Sequence, residues 1–461
     1  MSVASELAGW VRGLRPAEVP DAVATRAKQH LLDGVGTAVA ASRYGAGRPA
    51  TVVAAALGGP AEATPLTSSD LLSAPAAALA TGVLVHALDF DDTHAGGLVH
   101  ATAVTLPAAF AVGQQTGATG AEILLAAVAG YESVCRLGAG SPHGFHTRGM
   151  HATSVCGTVS AALVAGKLLD LPAEVLVDAV GIAGSTSGGL LEFLDTGADT
   201  KTLHPGLASM NGIIAARLAA AGASGPDTAI EGRNGLYATL SARPADPSRV
   251  TGELGQRWET LAITIKPYPA CQLIHVTLDA VAAAVSGDRI EPVDIEQITV
   301  WVNPDSAAIV CGDGPEKVQP RTAYDAKFSL PWSVAALLHD GAITVRTYTA
   351  ASIARPEVAA TADRVEVRVA ALRDGPAADA PGRAEIRLSD GRISRGEVTG
   401  SRGGPNTPLT ERELVDKFRA NCGDHPAVTE LADLLLTLEQ QVDIERINRL
   451  VTEIAREGDP A

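Results

Sequence analysis

Through its first 260 or so residues this chain shows almost no strand-like alternation; apolar residues recur at helical spacing in one Ala-rich segment after another. The sequence is 46% hydrophobic but only 3% aromatic, so its apolar matter is Ala, Val and Leu. Small side chains let helix backbones come close together, which predicts an all-α body of tightly packed helices. The first segment is 20–42, opened by Pro20. Others follow at 74–86, 102–116, 121–137, 153–169, 173–185 and 205–221, and Gly or Asn punctuates many of their ends.

The character changes after Tyr268. Ile298, Val300 and Val302 alternate with polar residues, as do Val365, Val367 and Val369. Ile386 and Leu388 precede Asp390-Gly391, a hairpin signal, and Ile393 resumes the strand. A helix is expected from 322 to 339 among these strands, and the segment after Pro408 turns helical again, with Thr410 and Glu413 forming a capping box. The fold class read from this is mainly α: a large all-α helical domain over 1–267, completed by 405–461, plus a smaller α/β lid domain over 268–404.

Lys and Arg total 36 against 52 Asp and Glu, a formal charge of −16. An acidic surface argues against nucleic acid and anionic membranes as partners. No stretch approaches the ~18 consecutive apolar residues of a membrane span. Residues 1–16 read as an amphipathic helix without a signal-peptide core, so a cytoplasmic protein is expected. The five cysteines, Cys135, Cys156, Cys271, Cys311 and Cys422, form no CxxC pair and so predict neither a structural zinc nor an iron–sulfur centre.

Two stretches repeat one device: His100-Ala101-Thr102 and His151-Ala152-Thr153 each close a polar loop and open an Ala-rich helix. A looser third copy has Lys201 and His204 before Pro205. Helix N-termini attract anions, so three such ends bearing basic side chains suggest a site for a small polycarboxylate. Upstream, His86 to His94 (HALDFDDTH) forms an acidic knot between apolar segments. Asp89-x-Asp91-x-Thr93 has the spacing of a phosphatase nucleophile motif, but that motif ends a buried parallel strand, and this one follows a helix. The chain is also too poor in aromatics for the carbocation pockets served by acidic runs in all-α terpene synthases.

His143, His146 and His151 share a Gly-rich loop that offers zinc neither one face nor a fixed outer shell, so no metal is expected; His143 and His146 are expected to face solvent. Lys266, before Pro267 and Pro269, is conformationally restricted. Cys271 and His275 could share a helix face, although Cys271 reads better as a small buried apolar group.

Taken together and in order, HALDFDDTH, GMHATSVCGTVSAALVAGKLL, DTKTLHPGLASMNG, IKPYPACQLIH, AKFSLPWSVAALLHDG and PNTPLTERELVDKFRANC resemble the MmgE/PrpD family over almost the whole chain. That resemblance implies a helical body with an α/β lid, a homodimer, and no metal or organic cofactor. The activities it implies are 2-methylcitrate dehydratase, cis-aconitate decarboxylase and iminodisuccinate epimerase, all acting beside a carboxylate. It assigns Asp89, Thr93, His100, His151, Lys201 and Lys266 to the site. Trp332 stands where the decarboxylases have a tyrosine, and the loop from Thr93 to His100 is one residue longer than theirs. The expectation is therefore a hydro-lyase of the 2-methylcitrate dehydratase kind, with epimerase, decarboxylase and a non-catalytic binding protein as alternatives. His151 is the expected base, His100 the donor or orienter, and Asp89 the group that orients them. Lys266, Lys201 and the helix N-termini would hold the carboxylates, with Thr93, His204 and Trp332 also touching substrate.

Overall fold

The computed structural model describes residues 1–287, 290–312, 314–370 and 376–457. Its longer helices are α1 (Val3–Gly13), α2 (Asp21–Arg43), α3 (Arg48–Leu57), α4 (Ala74–His86), α5 (Ala101–Thr116), α6 (Gly120–Ala139), α7 (Ala152–Leu168), α8 (Ala173–Thr186), α9 (His204–Ala220), α10 (Gln272–Val285), α11 (Leu330–Asp340), α12 (Glu411–Cys422), α13 (Val428–Leu436) and α14 (Glu445–Glu457). The strands are β1 (Thr93–His94), β2 (Ile263–Thr264), β3 (Ile295–Val302), β4 (Val365–Val369), β5 (Gly382–Leu388) and β6 (Ile393–Val398). No helix among the described residues is long and apolar enough to cross a membrane.

The chain divides into two compact units. The larger contains Met1–Leu191, Thr200–Ile265 and the chain from Thr410 onward; the smaller contains Glu192–Asp199 and Lys266–Leu409. Glu192–Asp199, taken from the sequence as part of the helical domain, thus groups with the smaller unit. There Arg321 donates to the Asp195 carbonyl at 2.9 Å, and the rings of Phe193 and Phe328 lie 6.1 Å apart.

The larger unit is helical except for β1 and β2, which pair Thr93 with Thr264 and His94 with Ile263. Helices α4, α5 and α7 are apolar and buried nearly all round, the signature of central helices. Their Ala and Gly content allows backbone-to-backbone packing: a Cβ on Gly82 of α4 would lie 2.7 Å from the Gly206 Cα of α9. The close approach brings the start of α9 against α4. The C-terminal segment returns here through α12, whose capping box forms as expected: Thr410 N–H donates to Glu413 Oε2 at 2.8 Å. Phe418 of α12 lies against Gly36 of α2.

The smaller unit has a four-stranded sheet in the order β4-β3-β5-β6, with β3 and β4 parallel and the other pairs antiparallel. Helix α10 packs on β5 and β6. Two expectations need correction. The helix foreseen over 322–339 is two helices, Ala323–Ala326 and α11, because Pro331 lacks an N–H and Ser329 caps the second through the Trp332 N–H at 3.1 Å. In β4 the alternating valines do not mark a buried face; the strand is an edge, and Val369 is exposed.

Candidate active site

Five separate stretches of the larger unit supply one buried cluster: the end of α4, the loop after it, the starts of α5 and α7, and the turn entering α9. Helix α4 stops at His86, and Asp89 adopts φ +51°, a left-handed turn that Asp tolerates better than most residues. Lys201 donates from Nζ to Asp89 Oδ1 at 2.8 Å and lies 3.3 Å from His100 Nε2.

The partners of His100 fix its protonation. Its Nδ1 is 2.9 Å from the Asp92 carbonyl, which can only accept, so Nδ1 carries the hydrogen. Its Nε2 faces the Lys201 ammonium, which can only donate, so Nε2 holds the lone pair. His100 is therefore neutral and tied at both ends, and Thr93 Oγ1 sits 3.2 Å from the same Nδ1. That arrangement suits an orienting group better than a proton donor.

His151 is 1% exposed, and its backbone N–H donates to the Gly189 carbonyl at 2.9 Å. Its Nδ1 meets His204 Nδ1 at 3.0 Å, so one of the two rings carries the shared hydrogen. No hydrogen bond occupies His151 Nε2 among the described residues. Burial, then the positive potential of His204, Lys201, His100 and His86, drives His151 well below the ordinary imidazole range. His204 is pushed down to about 4 by burial, with His86 and Lys201 adding to it.

The His-Ala-Thr copies interlock. Thr153 Oγ1 accepts the His100 backbone N–H at 3.0 Å. The α5 terminus, expected to be open to a substrate anion, is already capped: Asp92 accepts from Thr102 N–H at 2.9 Å and from its hydroxyl at 2.5 Å. Burial alone would raise the Asp92 carboxyl, but His30 beside it and the Thr102 bonds outweigh that and hold it below its usual value. Tyr131 closes this layer with its hydroxyl 3.0 Å from Thr102 Oγ1.

Sequence reasoning missed His86 and Asp91. Nδ1 of His86 lies 2.9 Å from each oxygen of Asp91, and both residues are fully buried. The expectation for His143 and His146 fails as well. His143 is buried and His146 is half-buried, its ring 6.1 Å from that of His151, because the short helix Gly144–Thr147 folds the loop inward with Phe145 against Tyr237.

Among the described residues two groups have the donors for a metal ion: His86, His100 and His151, and His86, Asp89, Asp91 and His100, with donor atoms within 4.8 Å of one another. The Lys201 ammonium, against both Asp89 and His100, puts a fixed positive charge beside each set and opposes a dication. Lys266 and Trp332 belong to the smaller unit. Lys266 is fully buried; Trp332 is buried too, its ring 5.8 Å from Tyr348 and its Nε1 without a hydrogen bond among the described residues. His275 Nε2 lies 3.0 Å from the Ala270 carbonyl.

Two domain models match the sequence: the MmgE/PrpD N-terminal domain over residues 5–247 and the MmgE/PrpD C-terminal domain over 268–453. A cis-aconitate decarboxylase of Aspergillus terreus is 27% identical, covering 97% of this chain and 96% of its own. Those of Mus musculus and Homo sapiens are 27% and 26% identical, covering 96% and 98% of this chain and 91% and 94% of theirs. With nearly its full length matched by the family's two domains, the chain belongs to the MmgE/PrpD family.

Proposed function

We propose that the protein is a lyase acting on a small polycarboxylate, and that it releases carbon dioxide from a substrate of the cis-aconitate type. One observation carries the reading. Lys201, Asp89, His100, His151 and His204, from separate stretches, meet in one buried cluster that combines a fixed ammonium with a neutral imidazole free to exchange a proton. The relatives named above support decarboxylation over the dehydration that the sequence alone favoured.

Losing carbon dioxide leaves an electron pair on carbon, delocalised into a neighbouring carboxylate. Charge developing there needs fixed positive groups in a site of low dielectric. Lys201, positioned by Asp89 and His100, supplies one; His151 exchanges the proton at carbon through Nε2. Lys266 and Trp332 enter this reading through the family resemblance alone. A hydro-lyase of the 2-methylcitrate kind is the second reading, favoured by Trp332, whose indole cannot act as the acid a tyrosine offers.

Incubation with cis-aconitate and with 2-methylcitrate, followed by mass spectrometry and carbon dioxide detection, separates the two. Gas release from cis-aconitate is the expected outcome; water loss from 2-methylcitrate without it favours the second reading. Replacing His151 or Lys201 with Ala should lower kcat by about 100-fold or more. Turnover should survive EDTA, and a loss restored by zinc would overturn the metal-free chemistry.

A further inference from the structure

The cluster holds one more imidazole that this chemistry leaves unused. His86 is fully buried, and its Nδ1 sits 2.9 Å from both oxygens of Asp91. A carboxylate accepts, so Nδ1 carries a hydrogen, and in the neutral ring Nε2 holds the lone pair. That Nε2 has no hydrogen-bond partner among the described residues, although buried imidazole nitrogens are normally satisfied. The His86 ring lies 4.5 Å from that of His100 and 6.0 Å from that of His151, the latter nearly parallel at 29°. One ring nitrogen from each of the three falls within 4.8 Å of the others. No hydrogen bond joins His86 to His151 among the described residues, and a separation of up to 4.8 Å leaves room for one bridging water, which needs two to four polar partners.

We propose that His86, oriented by Asp91, stores the proton of the reaction and passes it from Nε2 to His151 across one water molecule. The inference rests on the polycarboxylate-lyase reading. When the C–C bond breaks, carbon dioxide leaves without the bonding pair, which remains on the carbon skeleton, and that carbon must gain one proton. His151 gives it, His86 refills His151 through the water, and solvent replaces the proton on His86 once the next substrate is bound. The roles differ because the surroundings differ. Protonated His86 faces the Asp91 carboxylate, whereas His151 faces His204 and lies in the positive potential of Lys201. An arriving polycarboxylate offsets that potential, so the proton is taken up with the substrate in place.

The His86→Asn variant separates relay from scaffolding, because its amide still donates to Asp91 while the Nε2 position is lost. With cis-aconitate as substrate, kcat should fall about 100-fold or more while KM stays within about threefold. A kcat within threefold of wild type would show that His86 only holds Asp91 and would overturn the proposal. An independent arm needs neither substrate nor variant: long-range proton–nitrogen NMR spectra of histidine-labelled wild type should show His86 as the Nδ1–H tautomer. The opposite tautomer overturns the proposal as well. Wild type inert toward cis-aconitate would strike the functional reading alone, and the tautomer would then decide the role of His86.

Discussion

His204 and His151 share a contact between two Nδ1 atoms 3.0 Å apart, a geometry that accepts one hydrogen and resists a second. Folding therefore selects against protonation of this pair, and pH must register it. An unfolded histidine titrates near 6.5, while burial and neighbouring positive charge push His204 down to about 4. Between those values the unfolded chain binds the extra proton, so stability is whole above pH 6.5 and is lost as pH falls toward 4, by on the order of 3 kcal/mol. Asp33 acts oppositely: burial, partly offset by Lys417, raises it to about 6, so the folded state gains as pH falls from there. Comparing wild type with His204→Asn removes the Asp33 contribution. In urea unfolding at pH 7, 5 and 4 the variant should gain on wild type as the acid deepens; parallel curves would mean that His204 titrates alike in the folded and unfolded chain. At this scale much of the cluster was legible, because Asp89, His100, His151, Lys201 and His204 all stand at helix ends as polar residues in apolar surroundings. His86 was not, since it sits in the last turn of α4 and reads as part of the helix until its five-residue reach to Asp91 is seen.

A helix terminus attracts an anion, but sequence does not say whose. The end of α5 was read as a place for substrate, and the protein fills it with its own Asp92, ten residues before the Thr102 it caps. Asp92→Ala leaves the buried Thr102 N–H without its acceptor, leaves the Thr102 hydroxyl only Tyr131, and takes the carboxylate from beside His30. That should cost about 3 kcal/mol in urea denaturation, and Asp92→Asn, whose carbonyl can still accept, should cost less. Equal losses would locate the effect in the negative charge rather than in the cap. Elements whose ends carry local signals were readable in advance: the Pro-led starts of α2 and α9, and the capping box of α12. The break before α11 was readable too, in Pro331, but the apolar periodicity running through it masked the stop. The edge position of β4 was not, because alternation reports a pleat and not which neighbours cover it.

The whole chain is acidic, at −16, while the proposed substrate is a polyanion. A site that works by attracting carboxylates usually sits in a positive field, and its association slows as salt screens that field. Here the charge of Lys201 is already faced by Asp89, so little of it reaches solvent. A polycarboxylate approaching from beyond the Debye length meets net repulsion and gains attraction only at contact range, where buried groups are screened much less. Raising ionic strength from about 0.01 to about 0.15 M shortens that length from roughly 30 to roughly 8 Å, relieving the repulsion more than the contact. kcat/KM for cis-aconitate should therefore rise severalfold over this interval, opposite in sign to a steered enzyme. A fall instead would require a positive field reaching solvent from cations other than Lys201.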